Sequence, residues 1–211
     1  MIPDQKTVWN NKHKKGDHEY FRYQTEEFAI HVEKLFPRLA QVLDLGCGVG
    51  RDAIYFAKHD HTVLGVDFSE EIIRRNREIF PAPNLQFATL DFSKKLPYSS
   101  TSYDVVYAYL SLQYFDDVTT RSIVFEIARV LKSGGLLCFV CKSTKDLHYG
   151  DGTEIEPNYF VSTKGRIRRF FTSEYTKDLL DESFEIKSLK ETKRIYEHQM
   201  SDFIECMARK I

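Results

Sequence analysis

At 211 residues with 42% apolar side chains, the chain has material for one sizeable core, and a net charge of −1 gives no overall field that would draw in nucleic acid or acidic membranes. No apolar run approaches the roughly 20 residues that span a bilayer. No apolar core follows the polar first residues as it would in a secretory signal, so the sequence predicts a cytoplasmic protein without membrane segments. The four cysteines predict neither disulfides nor a metal site: Cys138 and Cys141 share a strand-like run, where an odd offset points them to opposite faces.

In chain order, residues 1–18 are polar apart from Val8 and Trp9. Phe21, Phe28, Val32 and Leu35 then recur at spacings of seven, four and three, which predicts a helix over about 19–36 with one apolar face, ended by Pro37. This reads as an N-terminal helical cap over residues 1–40, attached to one main domain over 41–211. From residue 41 short apolar runs alternate with helical periods, the pattern of a mostly parallel sheet. Strands are predicted at 41–45, 62–67, 84–89, 103–109 and 136–141, and helices at 51–59, 70–80 and 117–132. Ser69 is the expected N-cap of the second helix, and Gly134-Gly135 the terminator of the third. Residues 142–170 are broken by Gly150, Gly152, Pro157 and Gly165 and predict no regular element. A helix capped by Thr172 or Ser173 follows, then two strands near 184–190 and 203–209, joined by a link over 191–202 as an antiparallel hairpin.

The stretch Val42-Leu43-Asp44-Leu45-Gly46-Cys47-Gly48-Val49-Gly50-Arg51-Asp52 carries the functional signal. It reads as a buried strand, a tight glycine turn and a helix start. The spacing is Gly-x-Gly-x-Gly, and Asp44 stands two residues before the first glycine. A carboxylate there repels the pyrophosphate of a dinucleotide and suits a cationic ligand, which argues against a NAD-dependent dehydrogenase. S-adenosylmethionine (SAM) carries an ammonium and a sulfonium and no phosphate. Asp67, seventeen residues after Gly50 at the end of the next strand, can accept hydrogen bonds from both ribose hydroxyls.

With these residues the chain resembles the class I SAM-dependent methyltransferases from about Val42 onward. The resemblance implies a Rossmann-like α/β fold: a mostly parallel seven-stranded sheet with helices on both faces and an antiparallel last strand. It makes Asp44, Gly46, Cys47, Gly48 and Gly50 the first cofactor motif, with Asp67 and Phe68 at the ribose. Leu90-Asp91-Phe92 resembles the adenine motif, in which the acid holds the amino group. Tyr103-Asp104-Val105-Val106-Tyr107-Ala108-Tyr109 resembles the fourth strand, and Leu131-Lys132-Ser133-Gly134-Gly135-Leu136-Leu137 the turn before the fifth. An N-terminal helix in this family closes over the cofactor, which makes Trp9, Tyr20, Arg22 and Tyr23 lid candidates. Within the family, the aromatic cap, the bare core fold and the Arg-Arg-Phe-Phe-Thr run resemble the tellurite-resistance and thiopurine enzymes. Gln113 departs from that pattern, since many such relatives carry His there.

Methyl transfer from a sulfonium is an in-line displacement that needs alignment and dryness more than a strong base. A hydroxyl or ammonium acceptor also needs a proton acceptor. No Asn/Asp-Pro-Pro-Tyr run follows the fourth strand, no Pro-Cys pair supplies a nucleophile, and Asp116-Asp117 reads as a helix start rather than a metal site. Tyr109, Tyr114 and His148 are the catalytic candidates; Tyr20, Tyr23, Tyr149 and Arg168 are the acceptor-binding ones. Residues 164–169 place four cations beside Phe170-Phe171, readable as a clamp for an anionic substrate, an RNA contact or a charged edge strand. The leading expectation is a monomeric or homodimeric enzyme that methylates a small molecule and releases S-adenosylhomocysteine. The alternatives are an RNA or protein methyltransferase using residues 164–169, and a SAM-binding protein without catalysis.

Overall fold

The computed structural model describes residues 5, 7–9, 24–180, 182–196 and 198–211. Tyr20, Arg22 and Tyr23, with the first five residues of the expected cap helix, lie outside them; of the described part of that helix only Glu27–Glu33 is helical. A short helix α1 (Glu27–Glu33) is followed by β1 (Gln41–Leu45), α2 (Arg51–Lys58), β2 (Thr62–Asp67), α3 (Glu70–Ile79), β3 (Leu85–Thr89) and β4 (Tyr103–Tyr109). Then come a single 3-10 turn (Leu112–Tyr114), α4 (Asp117–Val130), β5 (Leu131–Lys142), β6 (Thr153–Glu156), β7 (Tyr159–Val161), β8 (Ile167–Arg169), α5 (Ser173–Leu180), β9 (Phe184–Tyr196) and β10 (Gln199–Lys210).

Seven strands form one sheet in the order β3-β2-β1-β4-β5-β10-β9. The strands from β1 to β5 pair in parallel, and β10 is antiparallel to both β5 and β9. β1 lies between β2 and β4 and is buried from Val42 to Leu45, as a central parallel strand with two covered faces must be. Alternation along the strands sends side chains into two cores: Leu43, Leu45 and Cys141 join one, Val42, Phe56 and Cys138 the other. Cys138 and Cys141 are free, buried and on opposite faces, as their spacing predicts.

Several sequence expectations are corrected. Leu35 is 51% exposed, and Phe36 makes the aromatic contact instead, 5.2 Å from Phe56 and 5.5 Å from His61 between ring centroids. Ser69 sits at the N-cap of α3 without a side-chain cap bond; its N–H donates to Asp67 Oδ1 at 2.9 Å. α4 stops at Val130, because Leu131 turns extended (ψ 141°) and already pairs with Tyr103, so β5 starts five residues before the predicted 136. Residues 142–170 are irregular only in part: from Thr153 on, β6, β7 and β8 form a separate three-stranded antiparallel sheet. Its strands are only three or four residues long, too short for a periodicity to show. The final hairpin also has no long link, since Gln199 pairs directly with Tyr196. Its arms run 13 and 12 residues; polar residues there alternate on an exposed face, which an antiparallel pair accepts and an apolar-run criterion overlooks.

Candidate active site

At the C-terminal end of β1 the backbone turns sharply. Gly46 and Cys47 both donate to Val66 O, at 2.8 and 2.9 Å, and Gly50 donates to Cys47 O at 2.9 Å. Gly46 has φ +76°, and a Cβ placed on it would stand 2.4 Å from Ser111 Cβ, so this glycine is required by the protein's own packing. Gly48 has φ +51°, and a Cβ on it would meet nothing within 4 Å. That open space is where a ligand can approach the backbone.

The turn borders a cleft of about 250 Å³. Asp44, Asp52 and Asp67 line its inner end, all at least 93% shielded from solvent (2, 5 and 7% exposed). Burial, reinforced by Asp52 and Asp67, pushes the Asp44 carboxyl well above the usual range. Burial likewise raises Asp52 to about 6, against the pull of Arg51 and of the Glu26 N–H. Asp67 is raised by burial to about 6 although the N–H groups of Ser69 and Gly48 favour its charged form. Arg51 pulls the Asp44 and Asp52 carboxyls down, while Asp67 is favoured by backbone N–H groups. Desolvation opposes the charge of Arg51, but Asp52 and Glu26 outweigh that and hold the guanidinium firmly protonated.

This donor set fits SAM. A buried acid cluster short of cations stabilises an ammonium and a sulfonium. The Asp67 oxygens accept Gly48 N–H (3.1 Å) and Ser69 N–H (2.9 Å), and each keeps a lone pair for a ribose hydroxyl. Phe68 and Phe92 give an apolar wall for a purine. Among the predicted cofactor residues, Cys47, Gly48 and Tyr109 also line the cleft. Gly50 does not; it is the left-handed residue preceding α2, held against the Phe87 ring. Asp91 does not line it either: it is exposed, and its Oδ1 accepts from Ser93 Oγ at 2.6 Å and Ser93 N–H at 3.1 Å.

Tyr109 stands at the end of β4. Its hydroxyl donates to Glu26 Oε2 at 2.6 Å and accepts from Arg194 Nη2 at 3.3 Å, and the Arg51 guanidinium lies 5.5 Å from its ring centre. Burial and Glu26 push this phenol well above its ordinary range, and its hydroxyl proton is committed to Glu26. Glu26 also pairs with Arg51, and its N–H donates to Asp52 Oδ1 at 3.0 Å. The entrance of α1 is thereby fastened to the glycine turn and to β4, a clasp that no sequence motif announced.

The outer half of the cleft holds Tyr114 and His148, with Trp9 edge-on to Tyr114 at 4.9 Å. Sequence reasoning missed Lys142, Tyr196, Gln199 and Ser201, which β5 and the long hairpin bring to the same wall. Lys142 Nζ donates to Asp146 Oδ2 at 2.8 Å, and its N–H donates to Gln113 Oε1 at 2.8 Å. Gln113 therefore fastens the 3-10 turn to β5. Asp146 is desolvated, yet Lys142 and the His148 and Asp202 N–H groups hold its carboxyl below the usual range. Its Oδ1 accepts the His148 N–H at 3.0 Å, which positions the loop that presents the imidazole.

The basic run does not act as a unit. Arg169 is buried, paired with Glu156 and flanked by the Tyr159 and Tyr175 rings at 5.0 and 5.4 Å, so it holds the small sheet to the main body. Arg168 lines the cleft. Tyr149 does not; it is 41% exposed, and its hydroxyl donates to Asn158 Oδ1 at 2.7 Å.

Comparison with known proteins agrees with this geometry. Residues 42–135 match the family model of a methyltransferase domain. An uncharacterized methyltransferase of Synechocystis is 31% identical over 133 residues, covering 63% of this chain and 56% of the relative. A tRNA N(3)-methylcytidine methyltransferase of Drosophila melanogaster is 25% identical over 189 residues, covering 83% of this chain and 58% of that one. The chain spans rather more than half the length of these two curated relatives. Among solved structures, a 1,6-didemethyltoxoflavin-N1-methyltransferase of Burkholderia thailandensis, solved with 1,6-didemethyltoxoflavin and S-adenosylhomocysteine bound, superimposes with a TM-score of 0.72 at 18% identity. It covers 98% of this chain and 87% of its own, and shows a shared fold. The family match spans a little under half of the chain, and the sheet order and glycine turn accord with it.

Proposed function

We propose that the protein transfers the methyl group of SAM to a small-molecule acceptor. The observation that carries this reading is one cleft with two kinds of lining. Three buried acids stand at the glycine turn, and aromatic rings, His148, Arg166 and Arg168 border the same space. When bound, SAM supplies an electrophilic methyl group; the chain's task is to hold it and exclude water. Asp44 and Asp52 face the positive end, Asp67 the ribose, and Phe68 and Phe92 the base. Tyr109 closes the side wall, with Glu26 and Arg194 fixing it. Trp9 and Tyr114 narrow the mouth, and the N-terminal residues act as a cap. In this reading His148, which lines the cleft, takes the proton of a hydroxyl or amine acceptor. The name of the structurally similar toxoflavin-pathway protein supports a small acceptor.

A second reading, RNA methylation, is favoured by the tRNA-modifying relative and by the cations near β8. It is weakened by Arg169, which is committed to the interior. We place the protein in the cytoplasm, as a monomer or homodimer; among the described residues no helix is long and apolar enough to cross a membrane.

The deciding experiment offers methyl-labelled SAM with a metabolite-sized acceptor fraction and, separately, with total RNA. Label in the small-molecule fraction supports the proposal. Label confined to RNA overturns it in favour of the second reading. S-adenosylhomocysteine binding without transfer to either leaves a SAM-binding protein without catalysis.

A further inference from the structure

Beside the main cleft lies a smaller cavity of about 170 Å³, and His148, Arg166 and Arg168 line both. The backbone explains the arrangement. Along the strand that begins at Ile167, alternate residues face opposite sides. Ile167 and Arg169 turn inward and are buried, while Arg166 and Arg168 turn toward the two cavities. Lys164 joins them in the smaller cavity, and Asp151 is the one carboxylate among its lining residues. Phe160 and Phe170 form its apolar floor, both under 8% exposed, with ring centres 5.8 Å apart.

Among the described residues, neither Arg166 nor Arg168 has a carboxylate partner. The Arg168 guanidinium lies 5.8 Å from the Phe170 ring centre and that of Arg166 5.8 Å from Trp9, and the Arg168 Nε is buried without a hydrogen-bond partner. Every other arginine used by the site is answered by an acid: Arg51 by Glu26, Arg194 by Glu205, Arg169 by Glu156. Two guanidiniums without a carboxylate partner, each set over an aromatic ring and lining a cavity that none of the three acids borders, form a receptor for an anion. A planar fork held against an aromatic ring matches a carboxylate in particular.

We infer that the small cavity is the acceptor's acid pocket: the molecule to be methylated carries a carboxylate that Arg168, with Arg166, holds while an apolar body rests on Phe160 and Phe170. This deepens the proposed function and rests on it. The charge pattern then orients both reactants, with SAM's cationic head at the acids and the acceptor's anionic group at the arginines, and the reacting atom between them.

The test is calorimetric, on the full chain. Native protein is first titrated with S-adenosylhomocysteine; absence of binding overturns the SAM-site reading and this inference with it. The loaded protein is then titrated with benzoate and with benzamide, which share shape but not charge. Benzoate should bind tighter by about tenfold or more, the difference between a charge-assisted and a neutral bond. Arg168→Gln should abolish that preference and Arg168→Lys keep part of it, with S-adenosylhomocysteine affinity unchanged in both. Benzoate that binds no better than benzamide, or not at all, overturns the inference. So does an Arg168→Gln protein that keeps the preference. Equally fatal is one that loses S-adenosylhomocysteine affinity instead, because the arginine would then serve the cofactor's own carboxylate.

Discussion

The hydroxyl of Tyr109 donates to Glu26 Oε2 at 2.6 Å, joining the end of β4 to the entrance of α1 across 83 positions of sequence. The bond makes the tyrosine part of the cleft's frame, with its proton already assigned. Tyr109→Phe should therefore lower S-adenosylhomocysteine affinity only modestly, by about 0.5–1.5 kcal/mol, the worth of one hydrogen bond. Once an acceptor is in hand, turnover should stay within a few-fold of native. A hundredfold loss in turnover with affinity unchanged would put the phenol in the chemistry.

Asp67→Ala should weaken S-adenosylhomocysteine binding by about 1–3 kcal/mol, since the ribose hydroxyls lose their acceptor. Calorimetry on a variant shown to be folded by circular dichroism checks this. Unchanged affinity would mean that the ribose lies elsewhere.

The glycine turn offers a contrast between two similar substitutions. Gly46→Ala forces a Cβ to within 2.4 Å of Ser111 Cβ at a left-handed φ, and should cost at least about 1–3 kcal/mol of stability in urea unfolding. Gly48→Ala meets no atom within 4 Å, so it should cost only the left-handed strain, about 1–2 kcal/mol, while greatly reducing S-adenosylhomocysteine binding. Equal effects of the two variants on both readouts would contradict the division between packing and ligand space.

The pH behaviour follows from Asp52 and Asp67. Both are raised to about 6 in the fold, above their usual value of 3.8, so the folded protein holds protons that the unfolded chain has released. Their contribution to stability is full below pH 3.8 and is lost as pH rises through about 6. Binding of a cationic ligand runs the other way, because only the ionised acids attract it. The rise in melting temperature caused by SAM should thus be larger at pH 7.5 than at pH 5, about one and a half units above and one unit below the transition near 6. A rise independent of pH would remove these acids from the binding site.

Lys142→Met leaves Asp146, whose side chain is fully shielded, without its cation. Stability should fall by about 3–5 kcal/mol, as when one partner of a buried pair is removed. The double variant Lys142→Met/Asp146→Asn should recover part of the loss in the same urea titration. Loss of the same size in both would show that Lys142 acts through other contacts.

That Asp44, Gly46, Cys47, Gly48 and Asp67 meet at one cleft was legible because the constraints on them are local. A glycine spacing, an acid at the end of β1 and another at the end of β2 each need only their own strand–turn–helix unit. Asp91 shows the limit of that reasoning, for it fits the motif by position yet turns its carboxylate to Ser93. The rest of the cleft was hidden because its parts are distant in sequence. Lys142, Tyr196 and Ser201 meet only through the β5–β10–β9 pairing, and the clasp of Glu26 depends on a helix with no capping signal. Residues 153–169 conceal a sheet because its strands are so short. The alternation of Arg166 and Arg168 against Ile167 and Arg169 was the available hint, and four cations within residues 164–169 masked it.

β10 lies between β5 and β9 although it follows both in the chain. While the polypeptide is being made, β9 thus has no neighbour in the sheet until β10 arrives and threads the gap. The glycine turn, its acids and the strands from β1 to β5 can assemble before then; Tyr196, Gln199 and Ser201 cannot reach the cleft. A nascent chain therefore completes the glycine turn first and the wall that carries Tyr196, Gln199 and Ser201 last.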